Sequence, residues 1–420
     1  MKWSGSSKLL VAAVLVLLVV AGIALVLRDS PNDETAEKAE TAAAPVDPKT
    51  PWTGTWATVM QDGKGAGFQA ETLRQVVRAS IGGDSVRIRL SNEFSSAPLT
   101  VSAVYLAKHL TAGTVDPGTN AHVTFGGADS VTVKAKGTVV SDPVAFRLPA
   151  GTDLAVSAYL PQPVGSVTQH ESANRDNYVA SGNQSTKASL SGLRSFYNYS
   201  FLAGVDVQNP SAEGAVVALG ASITDGYDST WNENRSWHNL LARRLGDDGR
   251  TVGVLNAGIS GNSMLQDGVG QSALNRLERD VLAQTGVKWV IVADLGINDL
   301  GGADESGGDR LVAGLRQLIQ RSHTAKVKVL CATLVPFAGS EGYSSTGEAG
   351  RKVFNDFVRS ADSGCDGVVD FDTAVHDSAD PTRWNSRFDQ GDHMHPNNAG
   401  MEALAAAVDT ALLARATANS

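Results

Sequence analysis

Cysteine is almost missing from this chain. With only Cys331 and Cys365 among 420 residues, neither a disulfide-built scaffold nor a four-cysteine metal site is possible. The two alternatives are one bridge, which an exported location permits, and two free buried thiols. An excess of positive charge is missing as well. Lys and Arg number 35 against 44 Asp and Glu, a net charge of -9 with a pI near 5.4, and no stretch supplies the basic face that a nucleic-acid partner needs. Metal-ligand spacing is the third absence. His393 and His395 stand close together, but no third ligand with recognisable spacing joins them and Pro396 follows at once, so no metal and no cofactor are expected.

Long uncharged hydrophobic runs are also scarce, with one exception. "LLVAAVLVLLVVAGIALVL", residues 9 to 27, has no charge and follows Lys2 and Lys8. As a helix it would rise roughly 28 Å, about the thickness of a bilayer core. Residues 1–28 are therefore expected to be a membrane anchor or a secretion signal, with the anchor favoured because no small-x-small cleavage site follows directly. Either reading sends the bulk of the chain out of the cytoplasm. Residues 29–50 are acidic and rich in Ala, Thr and Pro without an apolar period, which predicts a solvated, disordered linker.

Two periods divide the remainder. Over 51–209 the pattern alternates: "SVRIRLSN" (85 to 92), "SVTVKAKG" (130 to 137) and "DLAVSAYL" (153 to 160) each read as a strand with one wet face, separated by Gly, Asp, Asn and Pro clusters. This predicts a β-sandwich or jelly-roll domain. Over 213–418 five continuous apolar runs alternate with helix-like stretches: "AVVALG" (215 to 220), "TVGVLNAG" (251 to 258), "KWVIVADLG" (288 to 296), "KVKVLCATLV" (326 to 335) and "GVVDF" (367 to 371). Such alternation predicts an α/β domain, a doubly wound five-stranded parallel sheet covered on both faces.

In such a sheet a ligand sits beyond the carboxyl ends of the strands. "GASITDG", "GISGN" and "GIND" follow the first three runs, and "DHMHPNNAG" (392 to 400) follows the fifth, so all four can meet at one rim. A Ser in a tight strand-to-helix turn among small residues exposes its Oγ, the setting of a nucleophile; the alternative is a plain helix cap. Taken alone, Gly261 reads as a turn glycine and Asn298 as a helix cap. Asp392 and His395, taken alone, read as a solvent-exposed pair.

The four segments, in this order and ending in Asp-x-x-His-Pro, resemble the SGNH/GDSL hydrolase family of esterases and acyl hydrolases. "PWTGTWATVMQ" and "TLRQVVRASIGGDSVRIRLSNEF" are similar to the β-rich domain that precedes the catalytic domain in an arylesterase-like bacterial branch. The resemblance implies a flavodoxin-like sheet, Ser222 as nucleophile, His395 as general base and Asp392 as the acid that orients it. It implies an oxyanion hole made of the Ser222 and Gly261 backbone N–H groups and the Asn298 side chain. It also implies a serine ester hydrolase acting on short acyl, aryl or acetyl esters of a small molecule or polysaccharide, without a cofactor. The chain departs from the family at Ala221, where Asp is usual, so one loop-supporting carboxylate is lost and catalytic efficiency is expected to suffer. Transfer of the acyl group to a glycan or lipid hydroxyl, and a non-catalytic carbohydrate-binding surface protein, are the competing functions. Outside the four segments, Trp237 and His238 are expected to pack, His170 to lie in a loop, and "FYNYSF" (196 to 201) to form a buried cluster between the domains.

Overall fold

Strand and helix alternate through the C-terminal half as the apolar runs require. The computed structural model describes residues 49–63 and 67–414. The run at 9–27 lies outside these residues, as does nearly all of the 29–50 linker. Among the described residues no helix is long and apolar enough to cross a membrane.

Five parallel strands lie in the order Val252–Gly258, Gly214–Gly220, Val287–Val292, Lys328–Ala332, Gly367–Val369. Numbered along the chain this is 2-1-3-4-5, the flavodoxin-like order, which reverses direction beside the first strand. All seven residues of Gly214–Gly220 are buried, as a central strand covered on both faces must be. Helices Trp237–Asp247, Gly307–Thr324, Ser345–Arg359 and Asn398–Ala407 present Leu241, Leu315, Phe354 and Leu404 to the core. Ser345–Arg359 has no counterpart among the helix-like stretches read from the sequence, because its apolar stripe is thin and much of its buried face is Glu348, Arg351 and Asn355. Trp237 is fully buried and His238 nearly so, in line with a packing role.

The N-terminal half is antiparallel. One sheet runs Trp52–Ala57, Leu202–Gln208, Gly83–Ser91, Val144–Leu148; a second centres on Glu71–Arg78, Asp153–Leu160 and Leu99–Thr111. Alternate residues of both, such as Val86, Ile88 and Leu90 from the first and Leu73, Val77, Leu154 and Val156 from the second, share one apolar core. A small third sheet, Tyr199–Ser200, Val167–His170 and Gln61–Gly63, includes His170, which is therefore on a strand and not in a loop.

The described residues belong to one compact unit. Ala57 and Val59 of the β-rich region enter the core of the parallel-sheet region. Gly54 N–H donates to Thr285 O at 2.9 Å, and Val254 N–H to Ser80 Oγ at 3.0 Å. The "FYNYSF" segment is split: Tyr199 and Phe201 are buried, whereas Tyr197 is 57% exposed and meets the exposed Trp231 edge to face. Cys331 and Cys365 form a disulfide, so the free-thiol alternative fails. Strand Lys328–Ala332 and the approach to Gly367–Val369 are neighbours, which brings the two Cα atoms to 5.9 Å, within reach of a bridge.

Candidate active site

The first strand ends at Gly220, and the chain turns at once into a single helical turn, Ser222–Asp225, closed by Gly226 in the left-handed conformation. Ser222 is its first residue and is half-buried. A four-residue helix offers its neighbours little dipole, so the turn must be held in other ways. Asp294, just past the third strand, does most of that. Its carboxylate accepts from Ala221 N–H at 3.1 Å, Ile223 N–H at 2.8 Å and Thr224 Oγ–H at 2.5 Å. Burial pushes its pKa up, while these hydrogen bonds oppose the rise. A carboxylate is thus present at the nucleophile turn although position 221 is Ala; it comes from the neighbouring strand. Apolar "VIVADLG" gave the signal, since a lone Asp closing such a run is costly to bury unless it binds something.

The second segment packs directly on this turn. A Cβ at Gly258 would fall 2.3 Å from Asp225 N, so only glycine lets the second strand end there. Gly261 is needed for a different reason than close approach. Its φ is +80°, a left-handed conformation, while the space around a Cβ there is ordinary. The third segment ties to the second. Asn298 Nδ2 donates to Asn262 O at 2.8 Å, using one of its two amide hydrogens, and the Asp299 carboxylate accepts from Met264 N–H at 2.8 Å and Leu265 N–H at 3.0 Å. Beneath all of these, the fully buried Arg276 donates to Gly220 O, Ala257 O and Asn262 Oδ1.

The fourth segment closes the site from the far end of the chain. His395 Nε2 lies 2.8 Å from Ser222 Oγ, across 173 positions of sequence, and His395 Nδ1 lies 2.6 Å from Asp392 Oδ2. Asp392 Oδ1 also accepts from the backbone N–H of Met394 and His395. Partial burial opposes ionisation of Asp392, but the His395 hydrogen bond and these two N–H groups outweigh it and hold the carboxyl down to about 2. An ionised carboxylate on Nδ1 fixes the proton there and leaves the Nε2 lone pair facing the Ser222 hydroxyl. Tyr227 packs its ring 4.5 Å from the His395 ring and restricts its tilt. His393 has its own partner, Asp389, at 2.6 Å. Among the described residues no three His, Cys, Asp or Glu side chains gather as a metal site.

Of the five residues singled out from the sequence, Ser222, His395 and Asp392 stand in a continuous hydrogen-bonded line, while Asn298 ties to Asn262, the residue after Gly261. Sequence reasoning missed Asp294, Asp225, Arg276 and Tyr227. Beside the Gly261 turn lies a cleft of about 490 Å³ to which both regions contribute, with Met60, Gln61, Phe94 and Glu171 on one side and Ile259 and Val269 on the other.

Residues 218–403 match the GDSL-like lipase/acylhydrolase family. Among solved structures, the chain is similar to a GDSL-like lipase from Bacteroides thetaiotaomicron VPI-5482, at 20% identity and a TM-score of 0.36, over 48% of this chain and 88% of that one. It is also similar to a mutant of an acetyl-xylooligosaccharide esterase from Geobacillus Stearmophilus, at 21% identity and a TM-score of 0.37, over 50% of this chain and 98% of that one. No curated protein matches the chain.

Proposed function

Residues 218–403 are a GDSL-like lipase/acylhydrolase domain, and from that premise we propose that the protein hydrolyses carboxylic esters through an acyl-enzyme on Ser222. The observation that carries the proposal is the unbroken hydrogen-bonded line Ser222, His395, Asp392. His395 Nε2 takes the proton as Ser222 Oγ attacks the carbonyl carbon, and Asp392 stabilises the imidazolium that results. The tetrahedral oxyanion faces the Ser222 and Gly261 backbone N–H groups and the second amide hydrogen of Asn298. Collapse expels the alcohol, protonated by His395, and water then repeats the cycle on the acyl-enzyme.

Short acyl, aryl or acetyl esters are the proposed substrates, with the cleft between the two regions receiving the part of the ester beyond the reacting carbonyl. The proposed location is outside the cytoplasm. It is supported by the apolar run at 9–27 and by the Cys331–Cys365 disulfide, a bond that persists in oxidising compartments.

Hydrolysis of p-nitrophenyl esters of increasing acyl length by the full chain, beside Ser222→Ala, tests the reading. Release of p-nitrophenol by the wild type alone supports it, and equal rates from both proteins refute it. Running the assay with an acetylated oligosaccharide as donor and a free one as acceptor separates hydrolysis from acyl transfer, since only transfer yields a newly acylated sugar.

A further inference from the structure

One buried pair joins the β-rich region to the nucleophile turn. His170 ends strand Val167–His170, and its ring lies between two oxygens: Nδ1 is 3.0 Å from Val59 O, and Nε2 is 2.9 Å from Asp225 Oδ1. A carbonyl and a carboxylate only accept, so both ring nitrogens carry hydrogen and the ring is an imidazolium. Both side chains are 2% exposed. Burial acts to strip that proton, but the charge and hydrogen bond of Asp225 outweigh it.

Asp225 is the last residue of the nucleophile helix, and its second oxygen continues the chain. Oδ2 accepts from Ser260 N–H at 3.0 Å and from Ser260 Oγ–H at 2.6 Å. Ser260 directly precedes Gly261. The main-chain oxygen of Asp225 is held from the β-rich side too, since Asn174 Nδ2 donates to it at 3.0 Å. One carboxylate therefore grips the residue before a proposed oxyanion donor with one oxygen and a buried cation with the other. Without that cation the buried carboxylate would keep its Ser260 bonds but lose its ion pair at Oδ1, and it would recruit water or shift toward another donor.

From this geometry we infer that His170 of the β-rich region is a positioning residue for ester hydrolysis, fixing the Ser260–Gly261 turn of the oxyanion hole through Asp225. The inference rests on the proposed roles of Ser222 and Gly261. It gives the β-rich region a part in the chemistry, beyond flanking the catalytic half. The route runs by hydrogen bonds from His170 Nε2 to Asp225 Oδ1 and from Ser260 to Asp225 Oδ2, and then through the Ser260–Gly261 peptide bond to the Gly261 N–H.

The test uses the full chain with His170→Gln, Asp225→Asn, the double variant and Ser260→Ala, assayed on p-nitrophenyl acetate. Misplacing one donor by a fraction of an ångström to an ångström lowers kcat by about tenfold to a hundredfold while KM moves less than about twofold. The double variant should be no slower than Asp225→Asn alone, because both act through one carboxylate. Affinity for a boronic acid, whose tetrahedral adduct with Ser222 places an oxygen in the oxyanion hole, should fall in step with kcat. Wild-type kcat and boronate affinity in His170→Gln overturn the inference, as does a loss that matches only the unfolded fraction seen by circular dichroism. Should His170→Gln fail to fold, Ser260→Ala decides at a half-buried position, and unchanged kcat and boronate affinity there overturn the inference equally. Ser222→Ala is run in parallel. An inactive Ser222→Ala beside a fully active His170→Gln sinks this inference alone, whereas an active Ser222→Ala removes the reading of the site on which it rests.

Discussion

Arg74 in the β-rich region and Arg276 in the parallel-sheet region are both fully buried, and both direct their guanidinium N–H groups at carbonyl oxygens. Burial depresses both to about 10. They differ in what they hold. Arg74 donates to Gly113 O, Lys187 O, Ala188 O and Ser157 Oγ, all within loops and strands of its own region. Arg276 donates to the last residue before the nucleophile turn, to a strand-end carbonyl, and to the side chain of Asn262 in the Gly261 turn. Both are fully shielded from solvent, so what separates them is that the oxygens gripped by Arg276 belong to the turns around Ser222 and Gly261, and that Arg276 also pairs with Asp280 at 3.5 Å.

Substitutions can break or sharpen this contrast. The largest effect is expected inside the parallel-sheet region, where Ser222→Ala should lower kcat at least about a thousandfold while leaving the melting temperature within a few degrees. A smaller loss measured on p-nitrophenyl acetate would move the chemistry elsewhere. Next, Arg276→Met should lose about 3 kcal/mol of stability through stranded carbonyls, and about a hundredfold in kcat as the two turns drift apart. Arg74→Met should lose a similar about 3 kcal/mol in urea unfolding and keep kcat within about twofold. Equal activity losses from the two arginine variants would abolish the distinction. Asn298→Ala then asks how much one neutral donor contributes, with an expected loss in kcat of about a hundredfold and little change in KM.

The smallest effect is one of pH. His170 is raised above the ordinary histidine value, because the charge and hydrogen bond of Asp225 and the carbonyls of Val59 and Ser172 overcome the burial that acts to lower it. Its contribution to stability is therefore full below about pH 6.5, the unfolded-state value, and is lost as pH rises through the folded-state value. His238 and Arg276 also feel Asp225. Burial depresses His238 to about 4, so it stays neutral throughout this window, and Arg276 stays charged. Urea unfolding from pH 6.5 to 9 should show the wild type's advantage over His170→Gln shrinking with pH, and an advantage that is constant or grows would contradict the imidazolium.

Much of this arrangement could be read from the chain alone. The five parallel strands were visible because full burial demands uninterrupted Val, Ile and Leu, and their order along the chain located the rim. "DLAVSAYL" matches strand Asp153–Leu160 residue for residue, since both of its ends are marked by turn chemistry. The apolar run "KWVIVADLG" outlasts its strand, which stops at Val292, because Asp294 has left the ladder to bind the nucleophile turn. Most of the supporting polar residues were not legible, for a common reason. Asp225, His170 and Arg276 find partners far along the chain and carry no local mark of what they will meet, whereas Asp294 is marked only by the apolar run that it closes. The disulfide was hidden in the same way, since only strand adjacency decides whether 34 residues separate two thiols or join them.

That bridge has a consequence for any cut backbone. The segment between its ends contains the exposed stretch from Glu341 to Tyr343, in the loop that leads into helix Ser345–Arg359. A protease nicking there would leave two polypeptides still covalently joined through Cys331 and Cys365, with the fourth and fifth strands retained in one sheet. Such a clipped molecule would migrate as a single band on a gel until a thiol reagent was added.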